Sequence, residues 1–179
     1  QIPNDWSADG RFIAYEESGA NNGNDLWVLP LFGDQKPFPF LQTEANESRA
    51  RFSQNGRWIA YISDESGINQ VYVQSFPASG GQWQVSTNGG YYLEWRRDGK
   101  ELFYVSTDNK MMAVDVKGEG PTFEVGAPKA LFDLRVPSSN NPQVQFVVTS
   151  DGQKFLIANT FGENSSVPIT VVLNWTADL

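Results

Sequence analysis

The chain has 179 residues, with 13 Lys plus Arg against 21 Asp plus Glu, a formal net charge of −8, and neither histidine nor cysteine. A pI near 4.5 argues against nucleic acid or an anionic membrane as partner, since both call for a basic face. The missing Cys and His exclude disulfides, thiolate metal sites, a Ser-His-Asp triad, an HExxH zinc site and an imidazole base.

In chain order, one unit recurs four times: WSADG at 6–10, FSQNG at 52–56, WRRDG at 95–99 and VTSDG at 148–152, with starts 46, 43 and 53 residues apart. Repeats at this period mark propeller blades or similar arrays. After each glycine comes an apolar run, RFIAYEES from 11, RWIAYISD from 57, KELFYVST from 100 and QKFLIANT from 153. These runs are rich in aromatic and β-branched residues, as strands are. A polar gap and a third strand follow: DLWVLPL from 25, QVYVQSF from 70, KMMAVDV from 110 and ITVVLNW from 169. Outer strands are expected at 38–43 and 82–87, with a less regular one near 130–136. The Asp-Gly or Asn-Gly step predicts a two-residue type I′ hairpin, with positive φ at both central positions.

The expected fold is therefore all-β: a β-propeller or propeller fragment of four blade-like repeats, at about 1–45, 46–88, 89–137 and 142–179, forming one region. Aromatic content of 13%, 16 Gly and 10 Pro suit it. No segment approaches the roughly 18 apolar residues of a membrane span, so no membrane insertion is expected. In each blade the strand entering the DG turn is innermost. The first blade then begins almost at Gln1, which reads as a fragment or a processed form, and the fourth lacks an outer strand. Its bare edge at 169–175 calls for a cover, either the N-terminal segment crossing over to close a four-bladed ring or, the expectation favoured here, a second copy.

The strand order puts the DG turns on one side of the disc. On the other lie the loops at 17–24, 65–69, 107–109 and 162–167 and those entering the inner strands. That second side is the candidate binding face, and the candidate ligand or partner residues are Arg49, Arg51, Tyr91, Tyr92 and Glu94, with Arg49, Arg51 and Glu94 on inner strands where they would line a central channel. Tyr91 and Tyr92 are read as a loop entering an inner strand. The wider basic cluster, which adds Arg57, Arg96 and Arg97, reads first as inter-blade ion pairs and solvated edges, and second as an anion site. Trp27, Trp58, Trp83, Trp95 and Tyr61 read as inter-blade core. Asn21, Asn22, Asn24, Asn140 and Asn141 read as turns, without calcium-loop spacing. Paired carboxylates, Glu16 with Glu17 or Asp64 with Glu65, are the remaining catalytic candidates. Neither GxSxG nor a phosphate-binding loop occurs. No catalytic residue, metal or cofactor is expected.

Six segments carry a family resemblance: IPNDWSADGRFIAY, RFSQNGRWIAYISDESGINQVYVQSFP, GGQWQVSTNGG, EWRRDGKELFYVSTDNKMMAVDV, FEVGAPKALF and ITVVLNWTADL. Over essentially its whole length the chain resembles the C-terminal part of TolB-type, WD40-like β-propellers. The likeness is to bacterial proteins in which the propeller often follows a serine/threonine kinase or another signalling module. No kinase signature is present here. The resemblance implies a non-catalytic protein-interaction, scaffold or sensor module with a protein or peptide partner, in the periplasm or outside the cell. The alternative it leaves open is the propeller portion of a larger, peptidase-like enzyme. Family members have six or more blades, against four here.

Overall fold

The computed structural model describes residues 1–19, 23–120, 122–134, 144–159 and 170–173. Among them there is no helix, and so none long and apolar enough to cross a membrane. The first sheet is the antiparallel meander β1 (Ile2–Trp6), β2 (Phe12–Ser18), β3 (Asn24–Pro30) and β4 (Phe38–Leu41). The second repeats it with β5 (Glu47–Phe52), β6 (Trp58–Ser63), β7 (Gln70–Ser75) and β8 (Gln82–Gln84). The third runs β9 (Tyr91–Trp95), β10 (Glu101–Val105) and β11 (Lys110–Lys117), and its outer position is shared by β12 (Glu124–Val125) and β13 (Lys129–Asp133). β12 pairs with β11 at Val116 and Lys117 and β13 with the same strand at residues 110–113, so the single irregular outer strand expected near 130–136 is two short ones. The fourth sheet is β14 (Val144–Val148), β15 (Lys154–Asn159) and β16 (Thr170–Leu173). The expected loop at 162–167 and Asn21, Asn22, Asn140 and Asn141 lie outside the described residues.

The DG hairpins form at the four expected places, but with a different turn. Only the glycines, Gly10, Gly56, Gly99 and Gly152, have positive φ, between 66° and 76°, so the type I′ expectation is corrected. In the first turn the Gly10 amide donates to the Ser7 carbonyl and the Ser7 amide to the Phe12 carbonyl, a four-residue turn closed by one left-handed glycine. The residue that opens the turn locks it. The Ser7 hydroxyl donates to Asp9 (2.6 Å) and accepts the Phe12 amide (2.9 Å), while Asp9 also accepts the Arg11 amide (3.0 Å). Ser53 with Asn55, and Thr149 with Asp151, repeat the device; in the third turn Arg96 grips Asp98 through Nε (2.7 Å) and Nη2 (2.8 Å) instead. The Asp side chain thus contributes as an acceptor within its own turn.

Consecutive sheets pack face to face through three apolar cores, each formed by two neighbouring sheets. Between the first and second sheets, Phe12, Phe40 and Phe52 surround Phe76, with ring centroids 5.0 to 6.1 Å away. Trp58, Trp83 and Trp95 meet Phe123 between the second and third, and Phe103, Phe132 and Phe146 meet Phe155 between the third and fourth. The core role expected for Trp58, Trp95 and Tyr61 is met, at 3%, 7% and 1% exposure, with Trp83 half-buried against the same cluster. Trp27 is half-buried on β3. The four sheets form an arc and do not close into a ring among the described residues.

Candidate functional site

The site is built on the inner strands, and its geometry comes from bulges. β1 carries one extra residue between Pro3 and Asp5, β5 between Ser48 and Arg51, and β9 opposite the Tyr104–Val105 step. A bulge kinks a strand and re-aims its side chains. Arg49 and Tyr92 occupy bulges with φ of 57° and 46°, left-handed backbone that costs a non-glycine residue on the order of 1 kcal/mol or more. The two bulged residues meet across the gap between sheets, with the Arg49 guanidinium 3.9 Å from the centroid of the Tyr92 ring. Tyr91 and Tyr92 therefore belong to the inner strand β9 itself, which corrects their placement in a loop.

Around this pair runs a polar seam. Arg51 donates through Nε to Glu94 (3.3 Å) and through Nη1 to the Asn4 carbonyl, and the Trp95 indole donates to the Arg51 carbonyl (3.0 Å). From the first sheet, Glu16 accepts the Arg49 amide (2.8 Å), Asn4 the Ala50 amide (2.9 Å) and Asp5 the Phe52 amide (2.8 Å). Burial pushes the carboxyl of Glu94 above its ordinary range, against the pull of Arg51, and burial also raises Asp5 against the Phe52 amide and Arg51. Glu16 is buried and holds Asn4 and Asn24 as well, so the Glu16–Glu17 pair contains a structural cross-link. Asp64 is likewise engaged, accepting the Asn46 amide (2.8 Å), and Glu65 accepts Gln82 (2.7 Å).

Arg49, Arg51, Tyr92 and Glu94 line one cavity of about 410 Å³, whose far wall is Phe146, Val147, Leu156 and Ile157 of the fourth sheet. Tyr91 does not line it and is exposed. A second recess of about 720 Å³, on the side of the DG turns, shares Glu94 and Val147 with the first and is bordered by Asp5, Trp6, Arg96 and Arg97. Sequence reasoning missed the apolar wall, although alternation along VQFVV and KFLIAN carries it: Phe146 and Ile157 face the core, while their neighbours Val147 and Leu156 are 57% and 45% exposed.

Two of the remaining cluster arginines, Arg57 and Arg96, are committed to protein groups. Arg57 donates to the Glu119 carbonyl (2.6 Å), Arg96 holds Asp98 and Glu101, and Arg97 is exposed at the rim of the second recess. Arg49 differs: among the described residues its guanidinium has the Tyr92 ring and no ion pair. No group of three or more acidic residues is arranged to hold a metal ion among the described residues.

An arc of radially stacked antiparallel sheets whose inner strands wall a cavity defines a β-propeller. Comparison with solved structures agrees. TolB from Acinetobacter baumannii superposes with a TM-score of 0.64 over 96% of this chain at 16% identity, and the Cps50 (Swd1) β-propeller domain of Myceliophteria thermophila with 0.62 over 98% at 14%. The tricorn protease gives 0.63 over 96% at 13% identity. The chain spans only 39%, 52% and 15% of those three chains. At these identities the likeness establishes the fold, that of TolB and WD40-like propellers, and nothing finer. No protein-family model matches the sequence, and no curated protein matches it either.

Proposed function

We propose that this propeller region is a non-catalytic interaction module, a scaffold or sensor that holds a protein or peptide partner at the inner-strand cavity. One observation carries the reading. Side chains from three sheets converge on a concave, half-apolar site while the ionisable groups around it, apart from Arg49, are spent on one another. Such a site binds, and it offers no poised nucleophile or base. The absence of His and Cys supports the same view. A location in the periplasm or outside the cell is part of the same proposal, and the likeness to TolB supports it. A second copy pairing along β16, which joins the fourth sheet through β15 only among the described residues, is part of the same proposal. Light scattering tests that part, and a concentration-independent monomer would remove it.

The test of the main reading is a displayed peptide library selected on the purified chain and then on a Y92A/L156S variant, alongside peptide, ester and lactone substrates. Peptides held by the wild type and released by the variant are expected. Peptides held equally by both would move the partner surface elsewhere, and turnover that survives repurification would overturn the non-catalytic reading. The second reading, a portion of a larger enzyme, draws on the likeness to the tricorn protease, and only that last outcome favours it.

A further inference from the structure

We infer that the cavity between β5, β9 and the fourth sheet is a carboxylate site. Arg49 receives the acid group, and the Phe146–Ile157 wall receives an apolar body attached next to it. The inference rests on the partner-face reading above and names the chemistry of what that face takes.

Of the two arginines in the cavity, Arg51 is committed to the protein: its Nε donates to Glu94 and its Nη1 to the Asn4 and Ala50 carbonyls. Its charge is cancelled by Glu94. Arg49 has five N–H donors and, among the described residues, no acceptor for any of them. The carboxylate nearest its backbone, Glu16, is engaged by Asn4, Asn24 and the Arg49 amide. The wall therefore carries one uncompensated positive charge, and a planar guanidinium fork matches a carboxylate in two parallel hydrogen bonds.

The backbone supports a recognition role over a packing one. Two non-glycine residues from adjacent sheets, Arg49 and Tyr92, both hold left-handed backbone in order to stack on each other. Stacking fixes the plane of the guanidinium before a ligand arrives and lowers the ordering cost of binding. Strain kept at a concave site, where a glycine would relieve it, is characteristic of ligand clamps. Opposite, Val147 and Leu156 leave apolar surface open to solvent within the same cavity. At about 410 Å³ the space falls within the range of small-ligand pockets. A peptide C-terminus with an apolar last residue and a free arylalkanoic acid share this chemistry.

Calorimetric titration of the whole chain with acetyl-Phe-Leu and with 4-phenylbutyrate, each beside its amide, tests the inference. The acids are expected to bind roughly 10- to 100-fold more tightly than the amides, the value of one charge-assisted pair, and R49Q is expected to abolish that preference. A tighter dipeptide acid identifies a peptide end as the source; equal acids identify a small molecule. Y92L separates recognition from architecture: it keeps an apolar side chain against the core between the third and fourth sheets but removes the ring face under Arg49, so the fold should hold while acid binding falls. Should R49Q fail to fold, the wild-type ratio of acid to amide decides alone. Acid and amide binding alike, an R49Q protein that keeps the preference, or no binding of either acid at millimolar concentration would overturn the inference. In the first two cases, library peptides that still hold the face leave the partner-face reading standing without its carboxylate.

Discussion

Replacing Glu47 by Gln should make this protein more stable at neutral pH. Glu47 opens β5 and is 1% exposed. One carboxylate oxygen accepts the Thr43 hydroxyl, while Oε2 has no hydrogen-bond partner among the described residues. Burial raises its pKa above the ordinary glutamate value of 4.5, the Thr43 hydroxyl opposes the rise, and Asp25, Glu65 and Asp64 add to it. A buried unsatisfied polar group costs about 1–3 kcal/mol, more when charged, and Gln keeps the Thr43 contact without the charge. An expected gain of about 1–2 kcal/mol at pH 7.5 translates into a rise in Tm of roughly 2–8 °C for a chain of this size. The pH dependence has a definite sign. Because the folded-state pKa is raised, the contribution of the wild-type carboxyl is fully present below 4.5 and is lost as pH rises through the folded value. The gain from E47Q should therefore shrink toward zero near pH 4. Paired thermal and urea melts from pH 4 to 8 measure it. A variant no more stable than wild type at pH 7.5, or a gain that persists unchanged at pH 4, would refute the reasoning.

Ser53→Ala should cost about 1–3 kcal/mol in a urea melt, because the Ser53 hydroxyl accepts the buried Trp58 amide at 3.0 Å and no other acceptor replaces it. Gly118→Ala should cost a similar amount by overpacking: a Cβ there would lie 2.5 Å from the Trp58 Nε1 that donates to the Gly118 carbonyl, and a shifted tryptophan emission should report the displacement. In an NMR titration Asp9 and Asp151 should protonate below the usual 3.8, held down by Ser7 and Thr149 respectively and by the backbone amides of their own turns. Their contribution to stability is present above 3.8 and disappears as pH falls through the lowered values, and S7A should return Asp9 toward the ordinary range.

The four hairpins were legible because an Asp/Asn-Gly step between two apolar runs is a local signal repeated in register. Which turn it makes was not. The positive φ sits on glycine alone, since the preceding Asp or Asn can satisfy the turn with its side chain while staying in an ordinary backbone region. Four of the five candidate site residues line one cavity; Tyr91 does not, and it stands exposed on the other side of the bulge at Tyr92. The bulges that aim Arg49 and Tyr92 left no trace in residue type, as neither is a glycine or an asparagine. Glu47 was equally hidden: in sequence it is one polar residue in TEANES, and only the meeting of two sheets buries it.

The seam from the first sheet onto β5 also bears on how the arc assembles. An inner strand is a sheet edge, and its free amides are a template on which any extended chain could add. Along β5 those at Arg49, Ala50 and Phe52 are capped by the side chains of Glu16, Asn4 and Asp5. The second sheet therefore completes its own hydrogen bonding only once the first has docked. Nearest neighbours in such an array stabilise each other rather than standing alone. Deleting the first sheet would uncover a ready edge for aggregation, and this makes docking of adjacent sheets, more than formation of each hairpin, the cooperative step in folding.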